Sequence, residues 1–575
     1  MRSLARRAFG EATAFLRHPR RLGWADLVVV AALGGVLFAA SRLAHGAALP
    51  MRPAVEIDLS LRALPGYTLL SLSRGLAALA LSLLFTLVYG YWAARDTRAE
   101  RVLVPLLDVL QSVPVLGFMP GLVLSLVALF PGSNVGIEAA AIVMIFTGQA
   151  WNMTFSFYRS VRSVPPLQLE VARHHRFSWW QRFKWVELPA SVIGLTWNAM
   201  MSMAGGWFFL MVSEAFVLGS RDFRLPGLGA YMSVAVAAGD GRAMVGAVVA
   251  MTLMIVALDQ LLWRPVVVWA QKFRQDEGQG GEAARSWFLD LLRRSRLIRL
   301  LRRWRRRAAR SVAPRPRPPA EARPGAGVAA RLLPVALLGG LLVLLAMGSL
   351  ELFRLLRQVP AETWGTTLLA AGATLARVLA AVALGTLWAL PAGLAIGLSP
   401  RLSRALQPVV QVVASFPAPM LFPAVVALLA QLGVGLSGGS VVLMLLGTQW
   451  YILFNVVAGA MAVPSDLREA AASYRIGGWR RFRALLLPSV LPYLITGWVT
   501  AAGGAWNASI VSEYVAYRGR TLTTFGLGAR IGVAAEAADF QVLAASVVVM
   551  SAVVVLFNRL VWHPLNGYAE RRFAP

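Results

Sequence analysis

Apolar residues fall along this chain in runs of roughly 20, separated by short polar stretches in which arginine predominates. A helix of that length crosses the ~30 Å hydrocarbon core of a bilayer. Membrane strands would instead alternate over ~10 residues, and a stretch such as LLPVALLGGLLVLLAMGSL does not alternate. The pattern predicts spans near 24–44, 68–94, 102–130, 138–158, 189–216 and 243–263. A second set falls near 332–352, 366–397, 405–431, 440–461, 488–514 and 541–562. The expected fold class is an all-α polytopic membrane protein of six plus six helices.

Composition agrees: of 575 residues, 58% are apolar and only 14% charged, where soluble domains carry about 25%. The net charge of +29 would point to nucleic acid in a soluble chain. Here the cations sit in loops such as RDTRAER and SPRLSR and in YAERRFAP, the bias expected of cytoplasmic loops. The lipid bilayer is thus the expected partner, and no nucleic acid is. Even span numbers place both termini and the centre of the chain in the cytoplasm. Segment 1–23 reads as a basic cytoplasmic stretch, since no small-residue cleavage site follows a short apolar core. Two halves, 24–271 and 332–575, flank a linker at 272–331 with 17 Arg/Lys against 5 Asp/Glu and a proline-rich end. Trp287, Leu291, Leu292 and Ile298 stand among the linker arginines. That spacing fits a helix lying on anionic lipid or a basic spacer. With no cysteine, disulfides, thiol chemistry and Cys-based metal sites are excluded.

The halves are copies of each other. SLSRGLAALALS from Ser71 aligns with TLARVLAAVALG from Thr374, an offset of 303 that also carries Ser112, Pro114 and Pro120 onto Ser415, Pro417 and Pro423. Beyond a four-residue difference the offset is 299. It joins Trp151 to Trp450, Glu170 to Glu469, Pro189 to Pro488, Glu214 to Glu513 and Leu228-Gly229 to Leu527-Gly528. Copies with an even number of spans share one membrane sense, which implies a pseudo-twofold axis along the bilayer normal and a pathway at their interface.

Between spans four and five each half carries a charged segment, EVARHHRFSWWQRFKWVELP from Glu170 and EAAASYRIGGWRRFRALLLP from Glu469. Both open after a proline and close at Leu-Pro nineteen residues beyond the Glu. Proline favours a helix start. Ser465 or Asp466 is the expected N-cap, with Glu469 in the first turn. Each segment should be a short cytoplasmic helix whose small residues, Ala470 and Ala471 in the second copy, can seat in a groove of a partner protein.

Glu-Ala-Ala, a glycine and a distant Leu-Pro resemble the EAA coupling loop of ABC-importer permeases. The flanking SxP in span three, LPSVLPYLITG, AWNASIVSEYV and GLG resemble the nitrate, sulfonate, taurine and bicarbonate branch. The likeness covers about 70–260 and 370–560. It implies two tandem six-helix type I permease repeats in a bacterial inner membrane and a small, anionic solute. It also implies docking on two copies of a cytoplasmic ABC ATPase through Glu170, Val171, Ala172, Arg176 and Trp180 and through Glu469, Ala470, Ala471, Arg475, Gly477 and Trp479. A periplasmic solute-binding protein would deliver the solute. The sequence departs from the pattern in two ways. The glycine expected six residues after the Glu is Arg176 or Arg475, and the first copy reads Glu-Val-Ala.

No G-x-x-x-x-G-K-[ST] is present, so ATP and Mg would be held by the ATPase subunits, with no cofactor on this chain and no catalytic residues. LSGGS at 436–440 lies in an expected outer loop and reads as a turn. Ionisable and amide residues within spans are costly and mark candidate pathway positions. These are Arg74, Gln149, Asn152, Asn198, Glu214, Arg377, Gln449, Asn507 and Glu513. For the arginines a structural role competes, and for the glutamates a helix-end hydrogen-bond network. His174 and His175 lack further ligands, so no metal site is expected. The rival reading is a secondary transporter driven by an ion gradient and built from two tandem repeats, which would move solute without an ATPase.

Overall fold

The computed structural model describes residues 24–48, 55–218, 221–273, 286–295, 298–299, 326–517 and 520–573. The expected basic segment 1–23 and most of the linker lie outside them. In the first half, α1 (Trp24–Ala48) and α2 (Leu64–Arg95) precede α3 (Thr97–Ser112) and α4 (Val115–Leu129). Then come α5 (Val135–Arg162), the short α6 (Pro166–His174) and α7 (179–213). A hairpin of β1 (Ala215–Leu218) and β2 (Arg221–Arg224) leads to α8 (Leu228–Ala238) and α9 (Gly241–Phe273). From the linker, α10 (Trp287–Arg294) is described, its Phe288 buried against the transmembrane helices and Ser295 Oγ bonded to Asp26.

The second half repeats the order. It holds α11 (Ala326–Leu356), α12 (Ala361–Leu398), α13 (Pro400–Ser415), α14 (Ala418–Gln431), α15 (Leu436–Ala462), α16 (Ser465–Ser473) and α17 (Gly478–Ser512). The hairpin of β3 (Tyr514–Tyr517) and β4 (Arg520–Thr523), α18 (Leu527–Glu536) and α19 (Phe540–Ala569) complete it. Both hairpins were invisible to the hydropathy pattern, being only four residues per strand.

Among the described residues, seven helices are long and apolar enough to cross a membrane, or nine if each bent pair counts as one span. The expected spans at 102–130 and 405–431 are such pairs, bent by 100° and 81°. The breaks fall at Pro114 and Pro417. A proline forces its predecessor out of helical geometry, and Val113 and Phe416 are extended (ψ 124 and 130). The three remaining expected spans are helices α1, α5 and α7. In α5, polar Glu138, Thr147, Gln149 and Thr154 turn inward and are buried, which lowers its hydropathy below that of a lipid-facing helix.

The halves meet reciprocally: α9 packs on α13 as α19 packs on α3, and α7 packs on the first turn of α14 as α17 packs on α4. These mirrored contacts give the arrangement of a closed pseudo-dimer. One buried apolar cluster runs through both halves.

Candidate functional site

The two charged segments are built alike. In α6 Ala172 is buried while Glu170, Val171 and, beyond its end, Arg176 and Trp180 are exposed. In α16 Ala471 is buried while Glu469, Ala470 and, after it, Arg475, Gly477 and Trp479 are exposed. The expected cap is corrected. Pro464 occupies the N-cap without a side-chain bond, so Ser465 and Asp466 lie inside α16 and Glu469 stands beyond its first turn. The C-terminal ends explain the departure at the expected glycine. Arg176 and Arg475 adopt left-handed φ of 50° and 52°. Phe177 N donates to Ala172 O at 2.9 Å and Arg176 N to Arg173 O at 2.9 Å; Ile476 N and Arg475 N donate likewise to Ala471 O and Ala472 O. This is the Schellman ending that favours glycine, held here by arginine in both copies.

The loops differ past that point. Ser178 forms a capping box with Gln181, whereas Gly477 stands in its place. Below α6, fully buried Glu187 pairs with Arg95 and with Arg182 (2.9 Å). The second half has Leu486 and Leu398 where the first has Glu187 and Arg95.

Arg74, Glu214, Arg377 and Glu513 belong to a second repeated device. Arg74 is fully buried; its Nε and Nη2 reach Glu138 at 2.6 and 2.7 Å, and its Nη1 reaches Glu214 (2.7 Å) and Pro226 O (2.8 Å). Glu214 also accepts from Ser71 Oγ (2.7 Å) and Gly229 N (2.8 Å), while Leu228 N donates to Ser71 Oγ (2.9 Å). The carboxylate and hydroxyl therefore cap α8, where negative charge is favoured. Arg377, Glu513, Thr374, Gly528 N and Leu527 N reproduce this cap in the second half. The glycine of each Leu-Gly is required, because a Cβ at Gly229 would lie 2.6 Å from Met211 O and one at Gly528 would fall on Ser509 O.

Between the halves lies a cavity of about 270 Å³. Its lining includes Ser112, Thr147, Asn152, Tyr451 and Asn507, and no Asp, Glu, Lys, Arg or His among the described residues. Of the nine candidate pathway residues, Asn152 and Asn507 line it. Gln149 is buried against Ser82 and Met203, Asn198 donates to Gly194 O in its own helix, and Gln449 accepts from Trp388 Nε1 (3.0 Å). These three, and the four charged residues of the caps, do not line the cavity. Sequence reasoning passed over Glu138, although a carboxylate at the start of an expected span is itself a signal. It also passed over Ser71 and Thr374, both three residues before the repeated arginine.

The sequence profile of the family "Binding-protein-dependent transport system inner membrane component" matches residues 76–262 and again 381–562. A bicarbonate transport system permease protein of Synechocystis is 30% identical over 149 residues, 25% of this chain and 50% of that protein. A nitrate import permease protein of Synechocystis is 26% identical over 141 residues (24% and 50%). A taurine transport system permease protein of Escherichia coli is 26% identical over 186 residues (32% and 64%). The chain spans about half to just under two thirds of these relatives' lengths. With the profile matched once in each half and well over half of the residues covered, the chain belongs to the binding-protein-dependent transport system inner membrane component family, as a tandem pair of ABC permease units in one polypeptide.

Proposed function

We propose that this chain is the translocation subunit of an ATP-driven importer for a small anion of the nitrate, bicarbonate or sulfonate kind. The cavity between the halves is the pathway, and α6 and α16 face the cytoplasm, each docking one ATPase copy. A periplasmic receptor loads the solute from the other side, and closure of the ATPases pulls on both short helices to rock the halves about their shared axis. The observation that carries this reading is the duplicated segment. Two short helices, each with one buried alanine, an exposed Glu and the same left-handed arginine ending, present equivalent surfaces. The relatives' printed substrates support the anion class.

The test is solute uptake by proteoliposomes holding the chain, its ATPase and its receptor. Glu170→Lys with Glu469→Lys should cut ATP-driven uptake by about tenfold or more, since reversed charge at a docking surface costs several kcal/mol. Unimpaired uptake in that variant overturns the docking role. Uptake by the chain alone, driven by an ion gradient, overturns the importer.

A further inference from the structure

Among the described residues, two hydrogen bonds cross between the halves at the cavity, and both join a second-half asparagine side chain to the helix break of the first half. Pro114 is the N-cap of α4 and offers no side-chain cap, so the amide of Val115 lacks that partner in its own half. Asn507 Oδ1, from the other side of the cavity, accepts that N–H at 2.8 Å. Asn558 Nδ2 donates to Ser112 Oγ, the last residue of α3, at 3.3 Å. The break is thus gripped on both sides of its proline.

The repeat places Phe208 where Asn507 would be mirrored and Asp259 where Asn558 would be. Phe208 has no acceptor, and the Asp259 carboxylate is already engaged by Arg264 Nε (3.2 Å) and Gln260 Nε2 (3.0 Å). The second break also differs in itself. It opens with a 3₁₀ turn at Ala418–Leu421 in which Pro419 has no N–H to offer.

We propose that Asn507 and Asn558 form a one-sided latch that holds the two halves closed around the cavity, and that opening the cavity parts both bonds. Ser112, Val115, Asn507 and Asn558 all line the cavity, so parting them widens the space directly. The link from latch to transport rests on the function proposed above; the latch itself does not. Asn507 and Asn558 are positioning residues, setting how often the pathway opens rather than what it carries.

The chain has no cysteine, so Thr147→Cys places a sole thiol on the cavity wall. The measurement is its reaction rate with a membrane-impermeant maleimide in vesicles holding the full chain. Asn507→Ala with Asn558→Ala should speed labelling about tenfold, the combined weight of two neutral hydrogen bonds in a two-state opening. Asn507→Asp keeps an acceptor at the start of α4, where a carboxylate is favoured, and should label at the parent rate. Phe208→Asn supplies the missing mirror acceptor and should slow labelling about threefold. An unchanged rate in the double variant with a parent-like melting transition overturns the latch, as does an Asn507→Asp rate equal to that of Asn507→Ala. Should the double variant lose its melting transition, an unchanged rate in Phe208→Asn overturns it instead. Labelling needs neither ATPase nor receptor, so an importer reading that fails leaves this result standing, and the reverse.

Discussion

At Arg74 the first half buries a guanidinium between two carboxylates, Glu138 and Glu214. At Arg377 the second half holds the same group with one carboxylate, Glu513, and the hydroxyls of Ser437 and Thr524. The side chain of Arg377 keeps 12% exposure while that of Arg74 keeps 1%. The same contrast recurs beneath α6 and α16, where Glu187 and Arg95 of the first half correspond to Leu486 and Leu398 in the second. Repetition has preserved the geometry of the caps and loops and let the charge inventory diverge. Beneath α6 and α16 both charges of the Glu187–Arg95 pair are exchanged for leucines, whereas at the caps one carboxylate alone differs, Ser437 standing 299 positions beyond Glu138 and binding Arg377 in its stead.

Removal of the arginine should separate the halves most strongly. Arg74→Met strips Glu138 of both its bonds and leaves Glu214 buried beside it, costing about 4 kcal/mol of stability. Arg377→Met leaves Glu513 still accepting from Thr374 Oγ1 and Gly528 N, so about 2 kcal/mol is expected. The melting temperatures of the two purified variants decide it, and equal losses would break the contrast.

The ion pairs below α6 give the next largest effect. Glu187→Leu alone leaves the half-buried Arg95 and Arg182 without the buried carboxylate they share and should cost about 2 kcal/mol. Adding Arg95→Leu and Tyr91→Leu, which copies Leu398 and Leu394 of the second half, should recover most of that loss. A triple variant that melts no higher than the single one would show that the leucine solution is not portable between the halves.

The smallest effect probes what the halves share. Arg176→Gly and Arg475→Gly relieve a left-handed residue and should each stabilise their loop by about 0.5 kcal/mol after the entropy of glycine is counted. The readout is slower amide exchange at Phe177 and Ile476, whose N–H groups close the Schellman endings. If only the first copy responds, the two endings are not equivalent despite matching geometry.

Helix locations, the duplication and the short helices α6 and α16 were legible from the residues because each rests on local periodicity or on repeated spacing. The SxP breaks were visible as prolines, yet 102–130 still read as one span, since hydropathy carries no information about a bend. The helix-end network at Glu214 and Glu513 stood among the alternatives, but its members lie 143 and 139 positions from Ser71 and Thr374 and could be joined only by folding. Nor could the pattern separate Asn152 and Asn507, which line the cavity, from Gln149, Asn198 and Gln449, which do not. All five are amides in apolar helices. What distinguishes them is the face each turns toward a neighbouring helix, and that follows from packing between segments hundreds of residues apart rather than from any property of the segments alone.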